Sequence, residues 1–199
     1  MGSHDHTTRL SLALISLVLM SSCGIQVIVR PPDEPLRSIQ TAEWLAQVEA
    51  VAQTGDWMVL RGYHGTDNLV SAATNHPISH VAIIDRERGE VIEAVGAGLQ
   101  TMELRERIHE AHRVLVMRPR WWTPERGREA AARARALVGG DYDFLGTVGI
   151  DRDDRFYCSE LAIHVYDEYH DELEHFPTVI EPGHMYLYGQ VLYDSRFRN

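Results

Sequence analysis

Two cysteines occur among the 199 residues, and each stands where a thiol can do chemistry. Cys158 sits in Phe156-Tyr157-Cys158-Ser159-Glu160-Leu161-Ala162, and Ala162, Val165, Tyr166 and Tyr169 beyond it recur at helical spacing. In the first turn of such a helix, unpaired N–H groups and the macrodipole favour a thiolate and can hold an oxyanion. The same position also suits a thiol that is only a small core group. A nucleophile needs a base, and eleven histidines offer themselves. His80 differs from the rest because Ser79-His80-Val81-Ala82-Ile83-Ile84 opens an apolar strand, with His80 on the parity of Ala82 and Ile84. His64, His76, His109 and His112 lie in polar stretches where surface exposure is expected. Glu93 in Val91-Ile92-Glu93-Ala94-Val95 shares its strand parity with two valines. A carboxylate aimed among apolar groups is costly without a partner, and an imidazolium would supply one. The alternative is an edge strand with Glu93 facing solvent.

The other cysteine closes an apolar run. Residues 10–20 have the length of a signal-peptide core and are too short to span a bilayer; Ser21-Ser22-Cys23 then resembles the lipobox of bacterial lipoproteins. That resemblance implies cleavage before Cys23 and its diacylation, which anchors the chain to a membrane. Three segments follow: 1–22 as leader, 23–37 as the lipidated cysteine and a linker carrying Pro31-Pro32 and Pro35, and 38–199 as one domain.

Composition narrows the function. The net charge of -10 argues against nucleic acid, whose phosphates demand clustered positive charge. All the basic residues other than histidine are arginine, which removes lysine nucleophiles and lysine Schiff bases. The apolar fraction of 44% is that of a globular protein.

The elements that would position these groups can be read in turn. Residues 38–51 have helical spacing, with Trp44, Leu45, Val48 and Val51 on one face. Gly55-Asp56 breaks the pattern, 57–60 reads as a strand, and 61–79 as a polar loop with room for a short helix. Strands are expected at 80–85, 90–95 and 98–102, a short helix at 103–110 and a strand at 113–117. Thr123-Pro124-Glu125 begins a helix that Gly139-Gly140 ends. Short antiparallel strands with helices around them make an α+β domain.

The order His80, Glu93, Cys158 brings in a family. The chain from Gly55 to about Tyr188 resembles the permuted papain-like amidases, the YaeF/YiiX-like branch of the NlpC-type superfamily. The matching pieces are Gly55-Asp56, Ser79-His80-Val81, Val91-Ile92-Glu93-Ala94, Asp141-Tyr142-Asp143, Tyr157-Cys158-Ser159-Glu160-Leu161 and Glu181-Pro182. Non-permuted relatives run Cys before His. The resemblance implies a circularly permuted papain-like fold, a small antiparallel sheet packed on helices, with the nucleophile at a helix start. It implies Cys158 as nucleophile, His80 as base, Glu93 as the orienting residue, and no cofactor.

The expected function is a thiol hydrolase of an amide bond, in a cell-wall peptide or an acyl-amide, tethered to the bacterial envelope through Cys23. The expected address is the periplasmic face of the outer membrane. A lipid-directed esterase or acyltransferase, and a non-catalytic envelope-binding lipoprotein, are the alternatives. The second oxyanion donor stays open among Tyr63, Tyr142 and Tyr157, and Trp121, Trp122, Phe176, Tyr186 and Tyr188 are either cleft or core. A metal set on His164, Glu168, Asp171 and His175 competes with a solvated, charged helix face.

Overall fold

The computed structural model describes residues 28–150, 152 and 154–198. Cys23 and the apolar run before it lie outside the described residues.

Six strands form one antiparallel sheet: β1 (Trp57–Gly62), β2 (His80–Asp85), β3 (Glu90–Val95), β4 (Gly98–Glu103), β5 (Ala111–Pro119) and β6 (Gly189–Asp194), in the order β4-β3-β2-β1-β5-β6. Every residue of β1 and β2 is buried. Such continuous burial means that both faces of the sheet are covered, and the alternation of side chains divides the strands between two cores. Trp57, Val59, Val81, Ile83, Ile92 and Ala94 face one core; Met58, Leu60, Ala82, Ile84 and Val91 face the other.

The first core is closed by α4 (Pro124–Ala136) through Ala130, Ala131 and Ala134, and by α5 (Cys158–His164) through Leu161, Ala162 and Ile163. The second is closed by α1 (Glu34–Val51) through Trp44 and Val48, and by α3 (Leu104–His109) through Leu104 and Ile108. Two further helices, α2 (Gly65–Thr74) and the one-turn α6 (Met185–Tyr188), complete the α+β domain. Trp121, Phe176 and Tyr188 stack around Trp121 and belong to the first core, so of the aromatic set considered for a cleft these three are packing.

Four elements depart from the sequence reading. The first helix begins at Glu34 rather than in the region of Ser38, with Pro35 in its first turn, so the expected linker to residue 37 ends earlier. The polar stretch after β1 holds a full helix, α2, whose buried residues are polar: Asp67 and Ser71. That burial is satisfied locally, since the Ser79 hydroxyl donates to Asp67 at 2.6 Å and the Ser71 hydroxyl to the His76 carbonyl at 2.7 Å. Third, α5 stops at His164 after seven residues, and a 3-10 turn, Asp167–Tyr169, follows. The spacing of Ala162, Val165, Tyr166 and Tyr169 therefore reflects a helix continued by a tighter turn. Fourth, His76, His109 and His112 are half-buried instead of exposed.

Backbone contact fixes how α4 meets the sheet. Gly55 enters β1 with φ 90°, and a Cβ there would lie 2.3 Å from the Gly127 Cα in α4. Only glycine tolerates both the left-handed backbone and that approach.

Candidate active site

The candidate residues converge at one end of the sheet. β1 and β2 pair with Leu60 opposite His80, and β2 and β3 pair with Ile83 opposite Ile92. Carrying this register on by one residue sets Glu93 opposite Ala82, with His80 on the diagonal, within reach of a long side chain. His80 Nε2 lies 2.7 Å from Glu93 Oε2. The remaining ring nitrogen, Nδ1, is left for Cys158, which hydrogen-bonds His80 from the first residue of α5. Cys158, His80 and Glu93 are 7%, 8% and 1% exposed. Glu93 points into a buried polar cluster rather than among valines alone.

Burial opposes every charge here, and the groups offset it for one another. Burial pushes the Cys158 thiol up; the positive His80, its hydrogen bond and the Val81 N–H outweigh this and hold the thiol below its ordinary value. Burial likewise lowers His80, but negative Cys158, its hydrogen bond and Glu93 raise the imidazole to about 9. For Glu93, burial is overcome by the His80 hydrogen bond and charge, then by Arg107 and Gln100, which bring the carboxyl to about 2. These influences favour the ionic form of the site, thiolate, imidazolium and carboxylate. What lowers the thiol is chiefly His80; the short α5 leaves only a small role for the helix dipole expected from the sequence.

Two residues that hold Glu93 went unnoticed in the sequence. Gln100, its register partner on β4, donates to Oε1 at 3.2 Å. Arg107 on α3 brings Nε to 3.0 Å from Oε2, out of line for a hydrogen bond, so that contact is chiefly one of charge. A signal existed: Leu104, Arg107 and Ile108 are buried at spacings of three and four, which places the arginine on the apolar stripe of its helix.

The loop before α5 frames the thiol. Tyr142 bridges Phe156, and the Asp143 amide donates to the Phe156 carbonyl at 3.2 Å. Tyr142 and Asp143 are therefore tied to Phe156, close before Cys158. Buried Asp143 caps the loop, accepting from the Leu145 and Gly146 amides at 3.0 and 2.9 Å. Behind α5, the Ser159 hydroxyl donates to the Ile180 carbonyl at 2.5 Å and the Ile180 amide to the Tyr157 hydroxyl at 2.8 Å.

Of the three tyrosines considered for the oxyanion, Tyr142 lies nearest in effect. Burial and then the Cys158 charge push its hydroxyl far up, so it stays a protonated donor. Tyr157 is engaged with Ile180, and Tyr63 packs on His112 under the Arg37 guanidinium. The metal set is not assembled: α5 ends at His164, and no group of three metal-binding side chains occurs among the described residues. His164 instead pairs with Asp167 at 2.7 Å.

The sequence model of the permuted papain-like amidase enzyme, YaeF/YiiX, C92 family matches residues 52–177, more than half of the chain. The chain belongs to that family. The family is one of permuted papain-like amidases, and the matched span holds His80, Glu93 and Cys158. Among solved structures it is similar to the metalloprotein yiiX of Escherichia coli O157:H7, at 28% identity and a TM-score of 0.50, over 59% of this chain and 66% of that one. The match thus spans somewhat under two thirds of that relative's length. No curated protein matches the chain.

Proposed function

We propose that the chain is an amidase in which Cys158 is the nucleophile, His80 the general base and acid, and Glu93 the residue that orients His80. The observation that supports it is the buried, hydrogen-bonded series Cys158–His80–Glu93, with the thiol held below its ordinary value by His80. The thiolate attacks the amide carbonyl carbon, and the oxygen takes up the negative charge. The Cys158 backbone N–H is one oxyanion donor and the Tyr142 hydroxyl the other. As the C–N bond breaks, the His80 proton passes to the leaving nitrogen, giving a thioester on Cys158. His80 then takes a proton from water, whose oxygen attacks the thioester, releasing a carboxylic acid and restoring the thiolate–imidazolium pair.

The site of action we propose is the bacterial envelope, with Cys23 carrying a lipid anchor, by the resemblance of Ser21-Ser22-Cys23 to a lipobox. No helix among the described residues is long and apolar enough to cross a membrane. The substrate is a cell-wall peptide amide or an acyl-amide. A second reading, a lipid-directed acyl hydrolase or acyltransferase, is favoured by the loop beside Cys158: Phe144, Leu145, Val148 and Ile150 are 63%, 40%, 71% and 58% exposed. Transfer of the acyl group from Cys158 to an alcohol or amine in preference to water would select that reading.

The first test is the alkylation of Cys158 by iodoacetamide against pH, read peptide by peptide so that Cys23 does not contribute. The expected thiol reacts well below the free-thiol pKa of about 8.5, and His80→Ala returns it there. A wild-type thiol titrating at the free value, with no effect of His80→Ala, would overturn the proposal.

A further inference from the structure

We propose that Arg107 is a positioning residue of this site, holding Glu93 in place and cancelling the one negative charge that the buried thiolate, imidazolium and carboxylate leave over. The inference rests on the Cys158–His80–Glu93 reading. In the active ionic state two anions and one cation share a buried site. A net charge in such surroundings is strongly unfavourable unless a fourth group offsets it. Arg107 is that group by position. Its side chain is 5% exposed, that of Glu93 is 0% exposed, and Nε stands 3.0 Å from Oε2, the oxygen that also meets His80.

The carboxylate is thereby engaged on both oxygens and from three elements: His80 on β2 and Arg107 on α3 at Oε2, and Gln100 on β4 at Oε1. Arg107 is in turn shared. Its Nη1 donates to Glu110 Oε2 at 3.1 Å, and that oxygen lies 3.3 Å from His64 Nε2 at the surface. The charged and titratable groups facing the site are therefore Glu93, Arg107 and Glu110 on one side of His80. On the other are Cys158 and, beside it, Tyr142, with Tyr157, Glu160 and Asp143 close to that hydroxyl.

The sign of the effect follows from linkage. Removing a positive charge favours proton binding at every nearby group, so the proton that must leave the Cys158–His80 pair to form the thiolate leaves at higher pH. Removing the negative charge of Glu110, which draws on Arg107 from outside, does the reverse. A residue that merely packed α3 against the sheet would move neither.

The experiment measures Cys158 alkylation by iodoacetamide from acid to alkaline pH in the full chain, peptide-resolved. The proteins are wild type, Arg107→Gln, Arg107→Lys and Glu110→Gln, with a folding check by circular dichroism. The expected result is a higher midpoint for Arg107→Gln, and alkylation on the acid side about tenfold slower if the midpoint rises by about one pH unit. Arg107→Lys is expected to restore most of the rate, and Glu110→Gln to move the midpoint down. Equal midpoints in all four proteins, with wild type reactive below the free-thiol range, would overturn the role of Arg107 and leave the triad standing. Wild type inert in that range would overturn the triad itself. Should Arg107→Gln fail to fold, Glu110→Gln decides: it replaces a partly exposed residue, and a midpoint unchanged or raised in it overturns the proposal.

Discussion

In the proposed triad a proton that leaves Cys158 does not leave the site; it moves to His80. This gives a distinctive dependence of stability on pH. His80, raised to about 9, would alone contribute stability that is complete below its ordinary 6.5 and lost as pH rises through about 9. Cys158, held below its ordinary 9.0, contributes stability present above 9.0 and lost as pH falls through its folded value. With the thiol ionised as proposed, the folded pair keeps one proton between these limits, on the imidazole, and the unfolded pair keeps one, on the thiol. The two slopes cancel. The expected wild-type urea midpoint is therefore nearly flat from about pH 7 to pH 8.5. A wild-type midpoint that declines steadily would mean the folded thiol is not ionised. Glu93 acts at the acid end. Lowered to about 2 from 4.5, it contributes stability that is present above 4.5 and disappears as pH falls through about 2.

At the scale of elements, the contact between α4 and the lead-in to β1 makes a counter-intuitive expectation. Gly→Ala inside a helix ordinarily stabilises by about 1 kcal/mol. At Gly127 the new Cβ would meet the Thr54 carbonyl oxygen at 2.2 Å and the Trp122 Nε1 at 2.4 Å. Backbone cannot step aside, so Gly127→Ala is expected to destabilise by about 2 kcal/mol, measured by urea unfolding. A stabilised variant would show that α4 does not press on β1 as described.

The same scale shows what a sequence can and cannot reveal. The strands carrying His80 and Glu93 were legible to the residue, because apolar runs between turn residues leave few alternatives. The meeting of His80 with Glu93 was legible from parity and from the cost of a lone buried charge. Arg107 and Gln100 were not, because their part depends on how α3 and β4 dock against β3, and an arginine among Glu103, Arg105 and Glu106 looks solvated. Helix α2 was obscured for a related reason: its buried face is polar and is satisfied by Ser79 and the loop, so no apolar periodicity announces it. The end of α5 was equally hidden, since a 3-10 turn continues the spacing of a helix.

Across the whole molecule, Arg198 fastens the last strand's extension to the first helix. Its guanidinium donates to the Ala111, Arg37 and Ile108 carbonyls and to the Thr41 hydroxyl, at 2.7 to 3.0 Å, and lies 4.1 Å from the Trp44 ring. Arg198→Ala removes four hydrogen bonds from this seam. It should destabilise by about 3 kcal/mol and raise hydrogen exchange in α1 ahead of the sheet. Exchange rising equally everywhere would show instead that α1 unfolds only with the whole domain.

The antiparallel run β2-β3-β4-α3 carries His80, Glu93, Gln100 and Arg107 on consecutive elements, while Cys158 arrives from α5, far along the chain. Neighbouring hairpins close early in folding, and distant segments dock late because more chain must be gathered. The base side of the site is therefore assembled before the thiol reaches it, and until then Cys158 is an ordinary thiol, almost wholly protonated at pH 6. Most core cysteines are shielded from reagents as a protein matures. Here maturation should do the opposite: in refolding interrupted by pulses of iodoacetamide at pH 6, labelling of Cys158 is expected to climb as the last phase completes. Labelling that declines instead would mark Cys158 as a packing residue. Rising reactivity would serve as a signature of completed folding, switched on when a distant segment docks.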